Sequence, residues 1–248
     1  SHKEAFQLYY QPQFSVAGGE LVGAEALLRW ENQGQFISPA EFIPVAEETS
    51  LINDIGLWVL QRACTQFVYW QSHGIRLPAI SVNVSARQFH HRDFLPQLEQ
   101  IMQESGIPAA CLMLELTESV VLENLKETIQ KMQAIRQLGI HLSIDDFGTG
   151  YSSLAYLKEL PVNEVKLDRS FIMRLVEEHK DRVLVATVLA LAEAMEFSVI
   201  AEGVETEELA NLLRIFHCDE IQGYWLARPM SAEQMEVFLR ERASGLSG

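Results

Sequence analysis

The sequence predicts an α/β fold, a modified TIM (β/α)8 barrel with an antiparallel first strand, and three observations carry that prediction. The chain has 248 residues, 48% of them hydrophobic, enough to fill the core of one barrel. Eight strand-like runs follow one another, and after the first two they are separated by helical segments. Those first two runs are joined only by SVAGGE, which can close a hairpin but cannot hold a crossover helix, so they must be antiparallel. An open doubly wound sheet is disfavoured, because no GxGxxG follows the first strand.

In chain order, FQLYYQPQF (6–14) and LVGAEALLRW (21–30) form the hairpin. Helical patterns follow over 39–48 and 51–73, the second stopped by Gly74, and then a strand over 79–84. Next come a helix over 93–105 closed by Gly106, a strand over 111–116, a helix over 122–138 closed by Gly139, and a strand over 140–145. In that last helix Leu122, Leu125, Ile129, Met132, Ile135 and Leu138 recur at steps of three and four, which predicts one buried stripe. A helical turn near 153–158, a strand over 163–167, a helix over 181–195, a strand over 197–201, a helix over 206–215, a strand near 219–222 and a helix over 231–241 complete the chain. No linker or low-complexity stretch divides it, so 1–248 is expected to be a single domain; Ser1 and His2 read as a cloning remnant, which implies that it was cut from a longer multidomain protein.

A formal charge of −15 argues against gripping a nucleic-acid polymer, which needs clustered Lys and Arg. It leaves room for a small anion, because cations held in a carboxylate-rich cleft reverse the local sign. No run reaches the ~18 apolar residues of a membrane span, and no leader pattern opens the chain, so no membrane insertion and a cytoplasmic location are expected, with any anchor in an absent N-terminal region. Cys64, Cys111 and Cys218 form no CxxC and read as buried thiols of a reducing compartment.

The chemistry gathers around Leu142–Ser153, LSIDDFGTGYSS, where an apolar strand ends in Asp145 and Asp146. Alone, the pair reads as an Asx-type turn. Charges about 4 Å apart repel by roughly 1 kcal/mol in water and about 4 kcal/mol at an effective dielectric near 20, so a partly buried pair favours a cation. Six of the other strands also end in polar groups, at the end of a barrel where chemistry resides: Glu25 and Arg29, Asn83, Glu115 and Glu118, Lys166 and Asp168, Glu202 and Glu205, and Gln222. Glu25, Glu115, Asp145, Asp146, Glu202 and the amide oxygen of Asn83 make an all-oxygen set, which suits Mg2+ or Mn2+ rather than zinc. Two such ions sharing Asp145 would clamp a phosphodiester. Asp146 is expected to start the loop, so that both acids turn to the barrel mouth. Lys166 would hold a water or steady charge on phosphorus, or else serve as a plain salt-bridge lysine. His90 and His91 are expected to be exposed, Trp58 and Trp70 to lie in the core, and Tyr224 and Trp225 to line a base pocket or pack in the core.

These segments resemble the EAL domain family, cyclic di-GMP phosphodiesterases named for the triad seen here as Glu25, Ala26 and Leu27. The resemblance runs through YQP (10–12), EALLRW, FIPVAEETS, NVSARQ, ELTES, DDFGTGYSS, KLDRSFI, AEGVE and QGYWLARPM, in order over nearly the whole chain. It implies that Glu25, Asn83, Glu115 and Asp145 bind a first metal and that Asp145 and Asp146 bind a second. It also makes Glu202 a metal ligand or general base, and gives Lys166 and Gln222 the task of orienting the attacking water. Gln11, Arg29, Glu205 and Pro229 then resemble substrate contacts, and Arg29 suits a phosphate through its planar fork. Glu118 resembles the acid that anchors the DDFGTGYSS loop, which in the family lies near a dimer interface, so a homodimer is implied. The implied reaction is hydrolysis of cyclic di-GMP to linear pGpG. The alternatives are a receptor that binds cyclic di-GMP without cutting it, which a missing ligand would favour, and a scaffold with no use for an intact acid cluster.

Overall fold

The computed structural model describes residues 6–148 and 154–245. Strands β1 (Phe6–Ser15) and β2 (Leu21–Asn32) form the antiparallel hairpin, pairing from Phe6↔Trp30 to Phe14↔Leu21. From β2 the sheet continues in parallel through β4 (Ile80–Asn83), β5 (Leu112–Thr117), β6 (His141–Phe147), β7 (Glu164–Leu167), β8 (Ser198–Ala201) and β9 (Glu220–Ile221). It closes where β9 meets β1, again antiparallel, at Phe14↔Ile221 and Ser15↔Glu220. The closed barrel therefore has eight strands, and β1 alone runs against the rest. Its reversal follows from the five-residue connection 16–20, which leaves no length for a crossover.

Side chains alternate between the two faces of each strand, and here the faces differ in chemistry. Ile80, Val82, Leu112, Leu114, Leu116, Leu142, Ile144, Val165, Leu167 and Val199 face the surrounding helices and are almost completely buried. The intervening residues Ser81, Glu115, Ser143, Glu164 and Lys166 point into the lumen and are also buried. Contacts between side chains of β2, β5 and β7, which are not neighbours in the sheet, are possible only there. The apolar core is thus the ring between barrel and helices, while the lumen is polar. Helix α2 (Leu51–Ser72) shows how the ring is filled, burying Ile52, Val59, Leu60, Ala63, Phe67 and Trp70 on one face, with Trp70 edge-on to Tyr10 of β1 at 4.9 Å.

Several expectations need correction. A short strand β3 (Gln35–Ile37) extends β2, and helices α3 (Ala86–His90) and α7 (Arg169–Met173) follow β4 and β7; each is too short to show a period. The expected helix over 122–138 is two, α5 (Glu118–Glu123) and α6 (Leu125–Gln137), broken at Asn124 with φ −148° and ψ 73°. The break turns Leu122 out to solvent, 41% exposed, while Met132 and Ile135 stay buried. The turn after β6 is a 3-10 helix, Leu154–Glu159. Helices α1 (Pro39–Glu48), α4 (Phe94–Ser105), α8 (His179–Met195), α9 (Glu207–Ile215) and α10 (Ala232–Ala243) fall where their patterns place them.

Candidate active site

The parallel strands end at one rim, and there the lumen side chains of β2, β4, β5, β6, β7 and the residues after β8 and β9 meet. Lys166, with no exposed surface, lies at the centre. Its Nζ is 2.7 Å from Glu115 Oε2, 2.7 Å from Glu202 Oε1 and 3.2 Å from Glu25 Oε2. Asn83 Nδ2 donates to Glu25 Oε1 at 2.7 Å and Gln222 Nε2 to Glu25 Oε2 at 2.7 Å. Because the amide nitrogen of Asn83 is committed to Glu25, its oxygen is the atom left to face a cation.

Asp145 and Asp146 reach the same rim by a route the sequence did not predict. Asp146 does not start the loop; it lies inside β6, which runs on to Phe147. Ile144 pairs with Val165 and Phe147 with Leu167, so Asp145 and Asp146 together oppose Lys166 in a β-bulge. Asp146 takes up the extra residue with φ 54°, and its N–H donates to Asp145 Oδ1 at 2.8 Å. The left-handed turn cancels the alternation that would point neighbouring side chains apart. Ligand oxygens of Asp145, Asp146 and Glu202 lie within 4.8 Å of one another.

Electrostatics show that one lysine does not satisfy this many acids. Burial opposes ionisation of Glu25, but Lys166 and the Gln222 and Asn83 amides outweigh it and hold the carboxyl below its ordinary value. The same acids, Glu115 foremost, outweigh burial at Lys166 and keep it firmly protonated. Glu115 is raised well above the usual range by burial and by Glu25. Burial raises Asp145, pushes Asp146 up to about 6 with help from Asp145 and Asp168, and pushes Glu202 up to about 7. Glu115 Oε1 is buried without a hydrogen-bond partner among the described residues. An orphaned carboxylate oxygen inside an all-oxygen donor set with excess negative charge fits hard divalent cations.

Beside this cluster a cleft of about 420 Å3 is lined by Arg29, Ile43, Glu47, Asn83, Asp145 and Asp146. Arg29 lies 5.5 Å above the Tyr9 ring and donates to Leu28 O, so its guanidinium is held at the cleft wall. Gln11 is buried at the rim and accepts from Gln222 at 2.9 Å. Glu205 is turned aside into a 2.8 Å ion pair with Arg169, and Pro229 sits beside the bridge between Tyr10 and Met230. Neither of these two expected substrate contacts touches the acid cluster among the described contacts. Tyr224 and Trp225 are 49% and 43% exposed, which excludes core packing. Glu118, buried at the start of α5, accepts from Gly148 N at 3.3 Å and from the Tyr156 hydroxyl, so it ties both flanks of the segment 149–153, which lies outside the described residues. Sequence reasoning missed Gln13, which donates to Gln222 Oε1 at 2.9 Å, and named Asp168 without giving it a role; Asp168 is the N-cap of α7, and its charge bears on Asp145 and Asp146. Asp168 was visible as a strand-end acid, whereas Gln13 had no signal beyond alternation with Gln11.

Comparison with known proteins agrees with this geometry. The chain is 41% identical over 229 residues to the bifunctional diguanylate cyclase/cyclic di-GMP phosphodiesterase MucR of Pseudomonas aeruginosa, covering 92% of this chain and 33% of that protein. It is 39% identical over 239 residues to the cyclic di-GMP phosphodiesterase PA2567 of the same organism, covering 96% of this chain and 40% of the relative. The chain thus spans about a third of the length of such relatives. A solved PaMucR phosphodiesterase in complex with c-di-GMP superposes with a TM-score of 0.90 at 40% identity, covering 94% of this chain and 95% of that one. The EAL enzyme Bd1971 in its cAMP-bound form also gives 0.90, at 33% identity, covering 96% of this chain and 67% of that one. The EAL domain model matches residues 1–229, and with the barrel and its acid rim in place the chain belongs to the EAL domain family.

Proposed function

We propose that this chain is a metal-dependent phosphodiesterase that hydrolyses cyclic di-GMP to linear pGpG. The observation that carries the reading is the convergence of Glu25, Asn83, Glu115, Asp145, Asp146 and Glu202 from separate strand ends around Lys166, beside a cleft walled by Arg29. Its support from relatives is that proteins named as cyclic di-GMP phosphodiesterases are about 40% identical across almost the whole chain.

In this reading Glu25, Asn83, Glu115 and Asp145 would hold one divalent cation, Mg2+ or Mn2+, and Asp145 and Asp146 a second beside Glu202. When bound, the two cations neutralise the acids and lower the pKa of water at the phosphorus. Arg29 donates to a phosphate oxygen and fixes the substrate in the cleft. Lys166 and Gln222 orient the attacking water through the acids they fix: Lys166 gives its N–H donors to Glu115, Glu202 and Glu25, and Gln222 donates to Glu25 and Gln11. Glu202, with one oxygen bonded to Lys166, takes the water's proton on the other. The water oxygen then bonds to phosphorus as the P–O3′ bond breaks; the 3′ oxygen takes a proton from solvent water and Glu202 returns its proton to solvent, giving a 5′-phosphate and a free 3′-hydroxyl.

We infer that the domain is one unit of a longer protein, a reading supported by relatives about three times its length, and that it works in the cytoplasm, a reading its free cysteines support. No helix among the described residues is long and apolar enough to cross a membrane. A homodimer is proposed through α8, whose exposed face carries Val183 and Leu184 at 51% and 42% exposure, with Thr187, Ala190 and Ala194 beyond them. Incubation with cyclic di-GMP and Mn2+, followed by chromatography, tests the activity. The expected result is pGpG that EDTA abolishes and that Glu25→Ala no longer makes while its circular dichroism is unchanged. Binding without turnover would assign a receptor, and cleavage in EDTA would overturn the mechanism. Sedimentation of Leu184→Arg is expected to show monomer.

A further inference from the structure

We infer that Gln13 is a positioning residue: through Gln222 it sets which atom faces Glu25, and so tunes the cation site without touching cation or substrate. The inference rests on the metal-dependent reading above. Three glutamines, two on β1 and one just after β9, form one chain of hydrogen bonds: Gln13 Nε2 donates to Gln222 Oε1 at 2.9 Å, Gln222 Nε2 to Gln11 Oε1 at 2.9 Å, and Gln11 Nε2 to Ala227 O at 3.1 Å. Gln222 Nε2 also donates to Glu25 Oε2 at 2.7 Å.

The polarity of the chain is forced by its ends. Ala227 O is a carbonyl and Glu25 an ionised carboxylate, and both can only accept. Gln11 must therefore turn its nitrogen to Ala227 and its oxygen to Gln222, and Gln222 must turn its nitrogen to Gln11 and Glu25. That leaves Gln222 Oε1 facing away, in a buried site, in need of a donor. Gln13 supplies it. Without that donor the oxygen would be buried unpaired, or the amide would rotate and set an oxygen against Glu25.

The local backbone is shaped for this side chain. Gln13 pairs with Gly23, and the β1–β2 register shifts immediately after, between Gln13 and Phe14. A Cβ on Gly23 would lie 3.1 Å from Gln13 Oε1 and 3.1 Å from Ala79 O, so glycine makes the room the amide occupies. Gln11, Gln13, Gln222 and Glu25 are all at most 7% exposed, and water does not compete for these bonds.

The test is Mn2+ affinity, measured by electron paramagnetic resonance on the substrate-free chain, together with kcat and KM for cyclic di-GMP. Gln13→Met, of equal length but without a donor, is expected to weaken Mn2+ binding about tenfold and lower kcat comparably, with KM within about twofold, as loss of an outer-shell partner does. Gln13→Glu, which sets an acceptor against Gln222 Oε1, is expected to lose more, and it retains the shape if the methionine variant fails to fold. In a Gln222→Ala background, Gln13→Met is expected to change Mn2+ affinity no further. If the parent chain turns over cyclic di-GMP and both Gln13 variants bind Mn2+ as tightly as it does, the inference falls and the phosphodiesterase reading stands. If the parent binds Mn2+ without turnover, that reading falls, while the ordering of affinities still decides the role of Gln13. A further loss in the Gln222→Ala background would show that Gln13 does not act through Gln222.

Discussion

Lys166 is the residue on which the site turns. An ammonium enclosed by Glu25, Glu115 and Glu202 is the charge that lets the acid cluster exist before any cation arrives. Removing one partner from a buried ionic cluster costs about 3–5 kcal/mol, because the remaining charges stay buried and uncompensated. Lys166→Met is therefore expected to lower stability by about that amount in EDTA, and to recover much of it in Mn2+, which binds the folded state alone. Urea unfolding in the two buffers checks this, and an equal loss in both would show that Lys166 does not stand in for cations. At this scale most of the candidate site was legible, because carboxylates at the ends of apolar runs announce themselves. What the motif AEGVE does not show is the 2.8 Å ion pair of Glu205 with Arg169, because that pairing depends on side-chain rotamers.

At the scale of elements, the bulge in β6 decides whether the site forms. An unbroken strand would turn Asp145 and Asp146 to opposite faces, one of them into the apolar ring. The positive φ of Asp146 is tolerable for Asp or Asn but strained for a β-branched residue. Asp146→Asn is expected to keep the fold and lose turnover, whereas Asp146→Val is expected to lose turnover and in addition about 1–2 kcal/mol of stability. Thermal unfolding of the two variants in EDTA distinguishes these effects, and equal stability would argue against a bulge. Periodicity showed where β6 lies but not its bulge, since an inserted residue leaves no mark on an apolar run. The break at Asn124 escaped for a related reason: Leu122 falls on the helical stripe in sequence, and only the backbone turn takes it out.

On the scale of the whole molecule, a polar lumen makes stability depend on pH away from the rim. Below Lys166, Glu164 of β7 and Glu220 of β9 are hydrogen-bonded to each other, Ser143 of β6 donates to Glu164 at 2.9 Å, and Asp219 adds its charge. Burial raises both carboxyls, with Lys166 working against the rise at Glu164, and burial together with the Glu164 charge pushes Glu220 from 4.5 to about 8. A raised acid binds its proton more tightly in the folded state, so its contribution is complete below the unfolded value and is lost as pH climbs toward the folded one. The melting temperature is accordingly expected to fall between pH 4.5 and about 8. Glu220→Gln, which keeps the hydrogen-bonding shape without the charge, is expected to flatten that slope and to be the more stable protein at pH 8. Asp146 and Glu202 contribute with the same sign, so the comparison of slopes, not the slope itself, is the measurement. An unchanged slope would mean that the pair shares no proton.

By itself the sequence determined the barrel, the reversed first strand and the inventory of acids. Apolar alternation, a six-residue connection and carboxylates at strand ends are local facts that a linear reading can see. Tertiary structure alone decided that Glu115 Oε1 is left without a partner among the described residues, how neighbouring aspartates come to face one way, and that Gln13 meets Gln222 from 209 positions away. Those outcomes depend on register and closure, and a side chain acquires its partners only after distant strands have been set beside one another.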